Sequence, residues 1–316
     1  MAAESDGQAA AKRGFGFDAL SNNVKGLLLV AAAAASAATM HNLIRYMTVE
    51  QGFHSFEVAF FRNCMGLIIF VPVLARHGFG LFRTTKLPWH LGRAGINAGA
   101  MLCWFSALAL IPVGDATAVS LVGPVFVALL AMMFLGEKVG VRRWTGIFIA
   151  VAGACVVVRP GVVDVNLGSW LVLCSMVLVS GSKVIAKSLS KYDTPTTIVA
   201  YVTLLMTPIT LVPALFVWQW PTLAQLPWLV AIGLLGTTGH LLFTNAYRLA
   251  DVSLVDPASF MRMVWAALIS YVVFDEFPDT WTWAGAAIIV VGTTWMATQG
   301  RGRDRDVKRM PGAPVD

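Results

Sequence analysis

The chain has 316 residues, of which 57% are hydrophobic and 13% charged, and its mean hydropathy is +0.72. A soluble domain carries about 25% charged residues, so there is too little charge here to coat a water-facing surface. The net charge of +6 would suit nucleic acid, but the basic residues sit at the ends of apolar segments, which points to membrane topology and to no nucleic-acid partner.

In chain order, residues 1–25 are polar, mixed in charge and without the apolar core of a signal peptide, and they are expected to be a disordered cytoplasmic tail. Ten apolar segments follow, at 26–46, 56–75, 90–111, 114–135, 141–158, 168–187, 196–217, 227–249, 252–274 and 280–298. Each is close to the ~20 residues that cross a bilayer. Backbone groups in lipid must bond within their own segment, so each is expected to be a helix. Residues 299–316 form a basic tail, read as cytoplasmic. Cys64, Cys103, Cys155 and Cys174 lie inside apolar runs without metal spacing and are expected to be small buried hydrophobes.

Orientation follows from lysine and arginine. With the N-terminus inside, the inner segments hold all but five of the 23 basic residues. Arg45 and Arg159 fall outside, and Arg62, Lys183 and Arg262 fall within spans. This asymmetry predicts a multi-pass protein of the cell's inner (plasma) membrane with both termini cytoplasmic.

The chain also repeats itself at a shift of 139 residues. Ala107 maps onto Ala246, Glu137 onto Glu276, Trp144 onto Trp283, Gly146 onto Gly285 and Gly153 onto Gly292. A unit of five helices is odd, so the second copy enters the membrane from the opposite side. The expected fold is therefore all-α, ten transmembrane helices in two inverted five-helix repeats, 26–160 and 161–298. Inverted repeats characterise secondary transporters, whose substrate sites lie between the halves near the midplane.

The stretches ALALIPVGDATAVSLVGPVFVALLAMMFLGEKV and DVSLVDPASFMRMVWAALISYVVFDEFPD, each followed by a Trp-x-Gly helix, resemble the EamA-type drug/metabolite transporter superfamily across almost the whole chain. That resemblance implies a central cavity between the halves, alternating access and no bound cofactor. Its members export amino acids and related metabolites, or move nucleotide sugars, flavins or S-adenosylmethionine. A neutral or aromatic amino acid exporter is the first expectation, and a carrier of a flavin or a nucleotide-derived metabolite the alternative.

Candidate substrate-binding residues are the polar groups within spans. Arg262 is central in the ninth span, where an intramembrane charge requires a reason. Its guanidinium could fork onto a substrate carboxylate, or bind helix-end carbonyls. Arg62 is the second such charge, with snorkelling toward the outer surface as its structural alternative. The eighth span carries Gly233, Gly236, Thr237, His240, Thr244 and Tyr247 near one face, either a ligand-facing stripe or a packing seam. Asn97 and Trp104 share a face of the third span, where Gly95 and Gly99 form a GxxxG pair. His41, Asn42, Tyr201 and Thr203 complete the buried polar set. Glu137 and Glu276, at the ends of equivalent helices, are read as gating or structural groups. Pro124 and Pro257 are read as kinks or hinges.

No HExxH, P-loop, clustered acidic pair or Ser/His/Asp set occurs, so neither a metal site nor an intramembrane enzyme is expected. The loops are too short for a structural or signalling protein with large extramembrane domains. The partners expected are a small-molecule substrate and the lipid bilayer. One chain suffices for this architecture, and the sequence sets no oligomeric state.

Overall fold

The computed structural model describes residues 21–77, 84–136, 141–158, 166–249 and 260–308. Among them there is no strand, and eleven helical segments follow one another: α1 (Asn22–Val49), α2 (Ser55–His77), α3 (Leu87–Leu110), α4 (Val113–Ser120), α5 (Gly123–Leu135), α6 (Val141–Val158), α7 (Leu167–Leu189), α8 (Pro195–Leu215), α9 (Leu226–Leu249), α10 (Met261–Phe274) and α11 (Thr280–Lys308). Among the described residues six spans are long and apolar enough to cross a membrane, with α4 and α5 together supplying one of them, Val113–Leu135. Trp144–Val158 and Met261–Phe274 are shorter apolar helices. This is a multi-pass, all-helical membrane protein. Helix α11 continues as far as Lys308, into the segment read from sequence as tail.

Local chemistry sets the helix ends. Ser21, Asn166 and Thr194 accept backbone N–H groups at the starts of α1, α7 and α8, which satisfies donors that the first turn leaves orphaned. Gly136 closes α5 at φ 66° and Asp275 closes α10 at φ 56°. These two left-handed residues are 139 positions apart, the same shift that relates the two halves in sequence.

The span at 113–135 is broken at Leu121–Val122. There Leu121 N–H donates to the Ala118 carbonyl at 3.1 Å and Val122 N–H to Val119 at 3.2 Å, tightened i→i+3 turns. Pro124 follows in the first turn of α5, where its missing N–H costs nothing. The Ser180 hydroxyl of α7 donates to the Gly123 carbonyl at 3.3 Å, so a neighbouring helix re-satisfies part of the freed backbone.

Packing pairs elements across the chain. Helix α9 lies along α1, α3 along α7, α2 against α8, and α6 along α11. In the last pair a methyl built on Gly153 would stand 2.8 Å from the Gly285 carbonyl, and one on Gly292 would stand 2.8 Å from the Gly146 carbonyl. Low numbers of α6 thus meet high numbers of α11, and the two helices run antiparallel. The GxxxG pair of α3 behaves differently. A methyl on Gly95 meets nothing within 4 Å, and one on Gly99 meets only a Leu178 methyl at 3.6 Å.

One continuous buried cluster joins both halves, from Ile44 and Met47 of α1 and Trp104, Phe105 and Leu108 of α3 to Ile232 of α9, Met263 of α10 and Ile289 of α11. The cysteines correct the expectation of burial. Cys64 and Cys103 are half-buried, and Cys155 and Cys174 are exposed on the outer surface of the bundle, where a small apolar side chain is as much at home in lipid as in a core.

Candidate substrate site

Polar groups from both halves converge around the broken span. Arg262, in the first turn of α10, donates from Nη2 to the Ser120 hydroxyl at 3.1 Å, at the last residue of α4. Ser120 in turn donates to the Thr117 carbonyl at 2.7 Å. The break in α4–α5 therefore presents a helix C-terminus, with its partial negative charge, to the guanidinium. His41 of α1 is buried, lies within electrostatic range of Arg262, Arg62 and His240, and meets Trp104 of α3 edge-on with ring centroids 5.2 Å apart. Arg62 of α2 donates to Asn63 Oδ1 at 3.1 Å. It does not snorkel outward: its guanidinium lies against Gly236 of α9, where an added methyl would stand 3.1 Å from Nε and 2.8 Å from Met40 Sδ. Asn63 continues the polar layer to Thr210 of α8 at 3.2 Å and to Met101 Sδ at 3.4 Å.

Several polar atoms in this layer are buried without a protein partner, namely Arg262 Nε, His41 Nδ1, Asn42 Oδ1 and Thr117 Oγ1. Each such atom costs about 1–3 kcal/mol when left unmet, and unmet groups on His41 and on Arg262, which lies within electrostatic range of it, mark a place suited to water or ligand.

Each end of the bundle is tied across the halves. At the C-terminal end of α1, Arg45 donates to the Leu108 and Ile111 carbonyls, each at 2.9 Å, and pairs with Glu276 Oε1 at 2.5 Å, while Phe274 lies 5.6 Å beneath its guanidinium carbon. Buried Glu57 accepts the backbone N–H groups of His54, at 3.3 Å, and Gln219. At the opposite end His90 is fully buried, pairs with Asp193 at 2.9 Å and stacks on Tyr201 at 4.3 Å. Arg93 donates to the Ser182 and Ile198 carbonyls at 3.3 and 3.0 Å. Burial pushes the Asp193 carboxyl up, but hydrogen bonds from His90 and Thr84 and the His90 charge outweigh it and hold the group below its usual range.

Of the residues singled out in sequence, the fold gathers His41, Arg62, Trp104, His240 and Arg262. Asn97 is half-buried two turns before Trp104 on α3. Tyr201 goes instead to His90 at the basic end, and Glu276 to the Arg45 tie. Pro124 stands at the break itself. Glu137 and Pro257 lie outside the described residues, as does the side chain of Thr244. Sequence reasoning missed Arg45, His90, Arg93 and Asp193 as cross-half ties, since each reads there as an ordinary residue near a span end. A detectable signal existed only for Arg45, an arginine on the side expected from sequence to be arginine-poor.

Comparison with known proteins bears on this arrangement. The model of the EamA-like transporter family matches the chain twice, over residues 24–159 and 166–298. A riboflavin transporter of Vibrio cholerae serotype O1 is 30% identical, the alignment covering 90% of this chain and 97% of that protein. An S-adenosylmethionine uptake transporter of Rickettsia bellii is 27% identical over 77% of this chain and 84% of its own. A solved crystal structure shares the fold, with a TM-score of 0.57 at 19% identity over 89% of this chain and 96% of that one. Two family matches across nearly the whole length, on a helical membrane bundle with a polar centre, show that the chain belongs to the EamA-like transporter family.

Proposed function

We propose that this transporter is a secondary carrier of the inner (plasma) membrane, that it has ten transmembrane helices in two inverted repeats, 26–160 and 161–298, and that both termini are cytoplasmic. The antiparallel α6–α11 seam supports the inversion, as do the left-handed residues Gly136 and Asp275 at repeat-equivalent positions. The cargo proposed is a planar, acceptor-rich metabolite of the flavin type, with riboflavin the first to test.

The observation that carries this reading is the unmet polar layer beside the His41–Trp104 pair. Aromatic edges and faces hold a flat ring system, while the guanidiniums of Arg62 and Arg262 supply fixed donors for ring carbonyls and nitrogens. The similarity to the riboflavin transporter of Vibrio cholerae points the same way. The cross-half ties at both ends fit a carrier that opens one side at a time. A second reading, an amino acid cargo, is favoured by Arg262 alone. Its Nε is buried and unpaired, so half of a carboxylate fork is on offer.

Counterflow in proteoliposomes decides between them. Vesicles holding unlabelled riboflavin should take up labelled riboflavin saturably, and Arg262→Ala should abolish the uptake in protein that remains folded. Exchange of aromatic amino acids without exchange of riboflavin would overturn the flavin reading in favour of the second.

A further inference from the structure

A cleft of about 250 Å³ opens where the first turn of α3 faces the last turn of α7, lined by Lys86, Trp89, Ser188, Leu189, Lys191 and Tyr192. It lies far from the polar layer and plays no part in the transport reading above. Lys86 comes from the first half of the chain and Lys191 from the second, so two ammonium groups are brought to one cavity across the boundary between halves. Like charges repel there, and the nearby carboxylate of Asp193 is already engaged by Thr84 at 2.8 Å and by His90 at 2.9 Å. Lys86 Nζ sits 4.6 Å over the Tyr192 ring, which fixes its position without neutralising it.

Depth and surroundings narrow the ligand. The cleft is at the start of one membrane-length helix and the end of another, Leu87–Leu110 and Leu167–Leu189, and so at the level of lipid headgroups. Trp89 and Tyr192 are 54% and 64% exposed, the amphipathic rings expected at that level. Leu87 and Leu91, one turn apart on α3, are 45% and 47% exposed and continue the surface toward the hydrocarbon. A small soluble anion would use the lysines and leave this apolar strip idle.

We propose that the cleft binds an anionic phospholipid, with its phosphate between Lys86 and Lys191 and its acyl chains along Leu87 and Leu91. The lipid then bridges the same two halves that the His90–Asp193 pair ties beneath it, and holds this end together.

The test uses the purified full-length protein, with phosphatidylglycerol, phosphatidylcholine and inorganic phosphate as probes. Native mass spectrometry should show phosphatidylglycerol retained in preference to phosphatidylcholine. Each lysine near an anionic lipid contributes about a fivefold factor, so Lys86→Gln with Lys191→Gln should weaken the preference about thirtyfold. Phosphatidylcholine retention, unchanged in the variant, reports that the bundle is intact. Phosphatidylglycerol should also raise the melting temperature of the wild type and not of the double variant. Equal retention of the two lipids by the wild type would overturn the proposal. So would inorganic phosphate stabilising the protein as well as phosphatidylglycerol does, which would assign the cleft to a soluble anion.

Discussion

Replacing Gly285 by alanine tests the α6–α11 seam. A methyl built there stands 2.7 Å from the Gly153 carbonyl oxygen and 2.9 Å from the Val157 nitrogen, both backbone atoms that cannot swing aside. Restoring contact to ordinary van der Waals distance requires the helices to part by about 0.7 Å. A gap of 0.5–1 Å forfeits roughly a quarter to a half of each dispersion contact along the seam, and overpacking of this kind costs about 1–3 kcal/mol. Alanine's better helix propensity returns about 0.5–1 kcal/mol, so a net loss between about 0 and 2.5 kcal/mol, centred near 1, is expected. Gly95→Ala is the matched control: its methyl meets nothing within 4 Å, so only the propensity gain applies. Unfolding titrations with sodium dodecyl sulfate in mixed micelles should place Gly285→Ala below the wild type and Gly95→Ala at or above it. Equal stability of the two variants would refute the reasoning, because it would mean that the seam yields without loss.

Three further expectations follow from particular contacts. Gly236→Ala pushes on Met40 Sδ and on the Arg62 guanidinium, both ends of flexible side chains, so it should leave stability within about 1 kcal/mol of wild type while raising KM for exchange. Comparing melting temperature with counterflow kinetics separates the two effects. Glu276→Gln removes the charge paired with Arg45 but leaves its two carbonyl bonds. A partly exposed pair is worth about 1 kcal/mol, so local opening of that end of the bundle should rise about fivefold, read as faster hydrogen exchange in peptides around 105–113 and 270–280 with 86–93 unchanged. Asp193, with its carboxyl held below the usual range, contributes stability above the unfolded value of about 3.9 and loses it as pH falls through the lower folded value. The stability gap between the wild type and Asp193→Asn should therefore be constant near neutrality and shrink below about pH 4 in thermal scans.

The span pattern was legible because lipid imposes one solution on an apolar run of about twenty residues, and several edges agree within a few residues, as at 168–187 against Leu167–Leu189, whereas the last helix runs ten residues past its expected end to Lys308. The repeat was legible through Glu137, Gly146 and Gly153 and their counterparts. The role of those glycines was not, since close approach depends on how two helices cross; the GxxxG pair in α3 carried the sequence signal, and the Gly146/Gly153 and Gly285/Gly292 set makes the tight contact. The interruption at Leu121–Val122 was foreshadowed by Pro124 alone. The ties were hidden for a different reason. Arg45 and Arg93 bond to backbone carbonyls of other helices, and a carbonyl leaves no trace in side-chain identity. Tyr201 illustrates the converse: a buried aromatic within an apolar span reads as a site residue until the fold shows it stacked on His90.

The two guanidiniums of the polar layer, Arg62 and Arg262, have a consequence for the cell's energy supply. Moving one elementary charge through 100 mV is worth about 2.3 kcal/mol, so a carrier whose wetted interior let protons pass would discharge the gradient that powers other machinery. Arginine stays ionised under any physiological condition, and a fixed positive charge within the bundle raises a barrier to hydronium and metal cations alike, as charged constrictions do in water channels. If these groups receive the cargo as proposed above, they would also insulate the membrane during each turnover.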